Sequence, residues 1–237
     1  MALILNIDTA LDNAYISLAE NEEGLYYAIN ETTKDHAAWI QPAIYKIMKD
    51  SERKITDLKA IGVSIGPGSY TGLRIGLSTA KGLCFALKIP LITINTLEIM
   101  AFSAIQDMKT HENDLLTNDL LICPMIDARR MEVFTAVYSS ALGEIYKPHP
   151  RVLDALSFDE LLKRQKMLFL GNGSVKFQHV CQNANALFKK LALNPFGLCT
   201  LTYKNFIGNN FATLAYAEPL YLKEFFTKNS DRAKTKD

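Results

Sequence analysis

The stretch that most restricts how this chain can fold is Gly66-Pro67-Gly68-Ser69-Tyr70-Thr71-Gly72-Leu73-Arg74-Ile75-Gly76. It follows an apolar run, Ala60 to Ile65, that reads as a buried strand, and it leads into a helical pattern reaching about Leu87. Gly66-Pro67-Gly68 is a turn signal, because proline fixes one φ and glycine permits the positive φ beside it. Ser69 is then placed to cap the helix by accepting a hydrogen bond from a first-turn N–H. Gly72, Gly76 and Gly82 fall inside that helix, each costing about 1 kcal/mol relative to alanine. Gly68, Gly72, Gly76 and Ala80 recur at every fourth residue, so they share one side-chain-poor ridge. Such a ridge lets another backbone come close, and that contact offsets about 3 kcal/mol of lost helix propensity. Ordinary tight packing on the chain's own sheet, a helix of this chain or of a partner, and a phosphate reaching the turn all fit it.

At 237 residues the chain suits one large domain or two small ones. Its 49% apolar and 22% charged residues are ordinary for a globular protein. A net charge of +1 lays no overall electrostatic claim to nucleic acid, so any such contact would come from a local patch or through a partner. No apolar run nears the ~20 residues of a membrane span, and Met1 leads straight into a strand pattern without a signal peptide. Cys84, Cys123, Cys181 and Cys199 are widely spaced in apolar surroundings, as buried thiols of a reducing compartment are. The expectation is a soluble cytoplasmic protein with no membrane contact.

Leu3 to Asp8 reads as a buried strand ending in a carboxylate, Ala14 to Ala19 alternates, and Leu25 to Ile29 forms a third run, together an antiparallel meander. From His36 to Lys49 the period is helical, with Ile40, Ala43, Ile44 and Ile47 on one face. Trp39, Tyr45 and Met48 widen the apolar surface enough to imply burial on two sides. Pro42 inside this segment requires the first turn or a kink. The strand before Gly66, the glycine-rich helix, a strand at Leu91–Ile94 and a helix from Thr96 to about Met108 complete a βββαβα order. Residues 109–119 are polar enough for a long loop. A second cycle opens at Leu120–Asp127, again a strand ending in aspartate, followed by Glu132–Tyr138 and a run around Ile145. The pattern continues with a helix near Phe158–Arg164, a strand at Met167–Leu170, Gly171-Asn172-Gly173, and helices through 174–193 and 205–217. The tail Lys228–Asp237 is charged and reads as mobile. The halves are residues 1–108 and 109–237, the C-terminal helix being free to return to the first.

Known site motifs fit poorly. The Gly66 turn falls short of a dinucleotide fingerprint because Thr71 holds its sixth position and no carboxylate follows near Phe85–Lys88. No Gly-Lys-Ser/Thr follows for a Walker loop. Gly62-Val63-Ser64-Ile65-Gly66 matches G-x-S-x-G, with Asp127 and His149 or His179 in hydrolase order, but Ser64 sits within the strand, too early for a nucleophile elbow. His36, His111, His149 and His179 form no H-x-x-x-H or H-E-x-x-H pair, so no metal site is assigned. Asp8 and Asp127 suit either a cation near a nucleotide or a cap on the turn after each strand.

Taken in order, Ile4-Leu5-Asn6-Ile7-Asp8-Thr9-Ala10, the Gly66–Gly76 string, Ile126-Asp127-Ala128-Arg129 with Glu132-Val133, and Ala217-Glu218-Pro219-Leu220-Tyr221-Leu222-Lys223 resemble the bacterial TsaB (YeaZ) family. The resemblance runs from Met1 to about Lys223 and is loosest over 140–215. It implies an α/β, actin-like ATPase fold of two related lobes. It also implies a non-catalytic partner of TsaD, the subunit that transfers threonylcarbamoyl to tRNA adenosine, with the small ATPase TsaE joining the pair. On that basis tRNA is met through the complex, ATP or ADP is held by the partner subunits with no cofactor of the chain's own, and a homodimer is an alternative when the partner is missing. The residues agree on one point: Asp8-Thr9-Ala10-Leu11-Asp12-Asn13 and Asp127-Ala128-Arg129-Arg130 lack the glycines that bring backbone N–H groups to phosphates. The family pairs through its first two long helices, here His36, Trp39, Ile40, Ala43, Ile44 and Ile47 on one and Gly68, Gly72, Leu73, Arg74, Gly76, Leu77 and Ala80 on the other. Arg74 is expected in an interface ion pair or capping a carbonyl. Asp8, Thr9, Asp127, Arg129, Gly171 and Gly173 are candidate contacts to the interlobe cleft, a nucleotide or tRNA. For Arg129 a salt bridge to Asp127 or Glu132 fits as well. The alternative function is an enzyme in its own right, an actin-fold phosphotransferase or a peptidase.

Overall fold

Every residue of β1 (Leu3–Asp8) is buried, because helices cover both sides of the strand. In the computed structural model, which describes residues 1–32, 35–190 and 194–223, β1 lies at the centre of a five-stranded sheet. It pairs antiparallel with β2 (Ala14–Glu20), which pairs antiparallel with β3 (Glu23–Asn30). On its other side β1 runs parallel to β4 (Leu58–Ser64), and β4 runs parallel to β5 (Leu91–Ile94).

The second sheet repeats this plan. β6 (Leu121–Asp127) pairs antiparallel with β7 (Glu132–Ser139), which pairs antiparallel with β8 (Glu144–Val152). β6 also runs parallel to β9 (Met167–Leu170), itself parallel to β10 (Ala186–Lys189). The spatial orders β3-β2-β1-β4-β5 and β8-β7-β6-β9-β10 therefore correspond strand for strand. Two mixed sheets of the same topology are the duplicated α/β architecture that the actin-like ATPase fold requires.

Helices are distributed across the two sheets without regard to chain order. α1 (His36–Asp50) and α2 (Tyr70–Leu87) cover one face of the first sheet, where Leu3, Leu5 and Ile7 meet Ile40, Ile44, Ile47 and Leu77. The opposite face, carrying Ile4, Ala60 and Ile92, receives Leu198 and Leu201 of α6 (Gly197–Ile207). α3 (Thr96–His111) leaves the first sheet to pack Met100, Ala104 and Ile105 against Ile122 and Leu168 of the second. The far face of the second sheet buries Phe158, Phe169 and Phe177 around α4 (Asp159–Leu162) and α5 (Ser174–Val180).

Two helices expected from the sequence are different elements. The segment 174–190 splits into α5 and β10, and residues 191–193 lie outside the described residues. An Asx turn, in which the Asn185 N–H donates to Asn183 Oδ1, ends the helical stretch, and Ala186 to Lys189 then find a parallel partner in β9. The segment 205–217 is helical only to Ile207. From there residues 208–223 run as an irregular strap back over the first lobe, held by the Ala212 N–H on the Leu91 carbonyl and by the Leu220 N–H on the Ile65 carbonyl. Pro42 lies inside α1 beyond its first turn. The carbonyl it leaves without an N–H belongs to Ala38, on the exposed side of the helix and open to solvent. The tail Lys228–Asp237 lies outside the described residues.

All four cysteines are free thiols, and burial pushes Cys84 and Cys123 up to about 12, so both stay protonated. Among the described residues no helix is long and apolar enough to cross a membrane.

Candidate functional site

The end of β1 fills the glycine ridge of α2. A Cβ on Gly72 would overlap the Thr9 carbonyl oxygen, one on Gly76 would overlap Thr9 Oγ1, and one on Gly68 would overlap the Ala10 carbonyl oxygen. Hydrogen bonds secure the approach. Thr9 Oγ1 donates to the Gly72 carbonyl at 2.7 Å, and the Ser69 N–H donates to the Ala10 carbonyl at 2.7 Å. Ser69 caps α2 as its position implies, accepting from the Gly72 N–H at 3.2 Å, and Gly66 takes the positive φ of 111° that the turn needs.

The ridge is thus filled within the chain. Gly72, Leu73, Gly76, Leu77 and Ala80 are buried within the chain, Gly68 is half-buried, and a partner's helix finds no ridge to enter. Ile40, Ala43, Ile44 and Ile47 belong to the core beneath α1, and His36 is buried with its ring within hydrogen-bond distance of Asn30. Of the thirteen residues, Arg74 is exposed and Trp39 half-exposed. Instead, the outward faces carry Tyr45 on α1, 71% exposed, and Phe85 on α2, 78% exposed. Between Arg74 and Phe85 lie Ser78 and Gly82, both exposed, and a Cβ on Gly82 would meet nothing within 4 Å. Sequence reasoning missed this second stripe because the ridge spacing of four drew attention from the opposite side of the same helix.

Arg74 is bound within the chain. Its guanidinium lies 3.9 Å from the Tyr70 ring centroid and its Nε donates to the Tyr221 hydroxyl at 2.8 Å. The strap thus reaches the exposed side of α2. The Lys81 ammonium holds it further along by donating to the Ala217 carbonyl at 3.0 Å.

The two strand-end aspartates have opposite surroundings. Asp8 is 8% exposed; Ser64 Oγ donates to its Oδ1 at 2.6 Å and the Ala10 N–H at 3.1 Å. Burial raises its pKa against those two bonds, which favour the ionised form. Ser64 is therefore a partner of a buried carboxyl, with no histidine in the pair. Thr9 is fully buried, packed against α2. Asp127 is exposed. Its Oδ1 accepts from Lys176 Nζ at 2.6 Å and from the Arg129 N–H at 2.6 Å, and these overcome the opposing effect of desolvation to hold its pKa below 3.8. Glu132 pairs with Lys223, so the carboxylates flanking Arg129 are both taken by lysines. The expected alternative for Arg129, a salt bridge to Asp127 or Glu132, is not formed. Gly171 and Gly173 pack on β6: a Cβ on Gly171 would overlap the Met125 carbonyl oxygen, and one on Gly173 would lie 3.0 Å from the Ile126 carbonyl carbon.

Comparison with known proteins adds the family. The profile described as tRNA N6-adenosine threonylcarbamoyltransferase (TsaD) matches residues 29–229. The tRNA threonylcarbamoyladenosine biosynthesis protein TsaB of Bacillus subtilis (strain 168) is 34% identical over 172 residues, 71% of this chain and 70% of that protein. The chain belongs to the TsaB family. TsaB of Haemophilus influenzae is 25% identical over 235 residues, 94% of each chain. The solved structure of YeaZ from Pseudomonas aeruginosa superposes with a TM-score of 0.76 at 21% identity, covering 94% of this chain and 100% of that one, a likeness of fold.

The nucleotide that an actin-like fold implies does not fit the strand ends of this TsaB-family chain. The β1–β2 turn, which would wrap phosphates, is drawn onto α2 through Thr9 and Ala10, and it exposes the carboxylate of Asp12 in place of glycine N–H groups. A cavity of about 740 Å³ remains between the lobes, lined by Leu11, Asn13, Met100, Gly171, Gln178 and Phe188 among others. Among the described residues no three His, Cys, Asp or Glu side chains come together as a metal site.

Proposed function

We propose that this chain is a non-catalytic subunit in the formation of threonylcarbamoyladenosine in tRNA, at the adenosine next to the anticodon. It docks on the catalytic subunit TsaD through the outward faces of α1 and α2, holds that enzyme active, and helps recruit the ATPase TsaE. The biosynthetic role carried by the names of its TsaB relatives supports the pathway. The observation that carries the non-catalytic part is the closure of the β1 end on α2. Thr9 gives its hydroxyl to the Gly72 carbonyl and Ala10 its N–H to Asp8 Oδ1, donors that a phosphate-binding loop would leave free. The exposed Tyr45 and Phe85, on helices that pack against each other, support the docking face.

Reconstitution tests the reading. TsaD and TsaE with tRNA, threonine, bicarbonate and ATP, and the enzyme that activates threonine, should modify tRNA when this chain is added and fail without it. Calorimetric titration of the chain alone with Mg-ATP should show no tight binding. Modification that proceeds equally well without the chain sinks the proposal. Phosphate transfer or peptide cleavage by the chain alone would move it to the phosphotransferase or peptidase reading.

A further inference from the structure

The β6–β7 turn carries an unbalanced positive charge in an otherwise near-neutral chain. Three carboxylates lie on or beside it, two paired with lysines and one held by hydrogen bonds. Asp127 pairs with Lys176 and Glu132 with Lys223, while Asp154, whose neighbour Leu153 just beyond β8 donates its N–H to the Met131 carbonyl, is held chiefly by Ser157, with Arg151 a lesser influence. Asp154 accepts from Ser157 Oγ at 2.8 Å and from the Leu156 N–H at 3.1 Å. Arg151 in turn lies over the Phe158 ring at 4.2 Å. Arg129 and Arg130 are the surplus. Both are exposed, and neither is paired with a carboxylate among the described residues.

Their backbone is as telling as their charge. Arg129 has φ 70° and Arg130 φ 48°, two successive left-handed residues at positions where glycine or asparagine would be easier. The turn is fixed by the Glu132 N–H on the Arg129 carbonyl and by the Ala128 N–H on the Glu132 carbonyl. Two guanidiniums on a fixed, strained turn, with Asp127 and Glu132 already paired to lysines, have the chemistry of a contact to phosphodiester oxygens.

We propose that Arg129 and Arg130 form an RNA-backbone contact, through which this subunit helps seat the tRNA that the complex modifies. The proposal rests on the reading of the chain as a subunit of a tRNA-modifying complex. Guanidinium pairs neutralise phosphates without reading sequence, so the contact positions the tRNA and leaves base choice to other surfaces.

Fluorescence anisotropy with labelled tRNA, across a salt series, tests it on the complex with TsaD and on the chain alone. Arg129→Asn/Arg130→Asn keeps residues that accept a left-handed φ, so the turn should persist, with an unchanged melting temperature and TsaD co-elution. The expected result is tRNA binding weaker by about tenfold at low salt, with the slope of log Kd against log salt shallower by about 1.5–2, as for two lost phosphate contacts. Arg53→Asn, on the salt-bridged edge near Glu20, should leave both unchanged. Unchanged affinity and slope in the Arg129/Arg130 variant overturn the proposal. So does an effect confined to Mg-ATP binding, which would make the patch a site for free nucleotide. If TsaD does not co-elute even with the wild type, the subunit reading fails, and the salt slope of the chain alone still decides about the arginines.

Discussion

The turns after β1 and β6 occupy equivalent places in two sheets of the same topology, and each strand ends in aspartate, yet they have diverged in opposite directions. After β1 the chain turns inward: Asp8 is buried on Ser64, Thr9 is buried on Gly72, and Ala10 bonds to Ser69. After β6 it turns outward: Asp127 is exposed beside Lys176, and Arg129 and Arg130 are paired with no carboxylate among the described residues. What separates them is the helix beside the first turn. Gly68 just ahead of α2 and Gly72 and Gly76 within it face the end of β1, and that permits a backbone approach which side chains there could not allow. The first turn has become structure, and the second has kept its polar groups for solvent or a ligand.

The largest effect that would break this comparison comes from the ridge. Gly72→Ala should destabilise by about 3 kcal/mol or more, since the new methyl meets backbone that cannot yield. Gly173→Ala, beside the second turn, should cost only about 1–2 kcal/mol, because its tightest neighbour is the Val133 side chain at 2.8 Å. Equal losses in thermal denaturation would mean that the two turns are packed alike. Next in size is Thr9→Val, which keeps the shape and removes the bond to Gly72; urea unfolding should show a loss of about 1–2 kcal/mol.

The aspartates sharpen the contrast through pH. For Asp8 the folded pKa lies above the unfolded value of 3.8, so its ionised form opposes folding. Asp8→Asn should therefore be neutral or stabilising at pH 7, and the gain should vanish as pH falls through the raised folded value to below 3.8. Asp127 has the opposite sign. Its pairing stabilises above 3.8 and is lost as pH falls through the lower folded value. Asp127→Asn should cost about 0–1 kcal/mol at pH 7 and less in high salt, the smallest effect of the set. Melting curves at several pH values that showed the same trend for both variants would contradict the assignment.

Much of the architecture was legible in the sequence. Apolar runs bounded by turn residues placed the strands, and two strands ending in Asp8 and Asp127 pointed to two related halves. The Gly66 turn, the Ser69 cap and the α2 ridge were also readable. What the ridge packs against was not, because spacing reports that a backbone comes close and not whose it is. β10 was hidden by the helical look of 174–193, since a short edge strand gains its hydrogen bonds only from β9. The strap after Ile207 was read as helix for a similar reason: its bonds go to Leu91, Ile65 and Lys81, none of them near in sequence. The exposed stripe of α2 was missed because Ser78 and Gly82 carry no pattern of their own.

The most direct test of the docking account is the affinity of Gly82→Leu for TsaD, measured by titration calorimetry beside the wild type. Nothing lies within 4 Å of a Cβ at Gly82, so the variant should fold and melt at or above the wild-type temperature. The account predicts that binding to TsaD falls at least about tenfold, a bulky side chain having been set into the docking face. Wild-type affinity in a folded Gly82→Leu would place the interface elsewhere and contradict it.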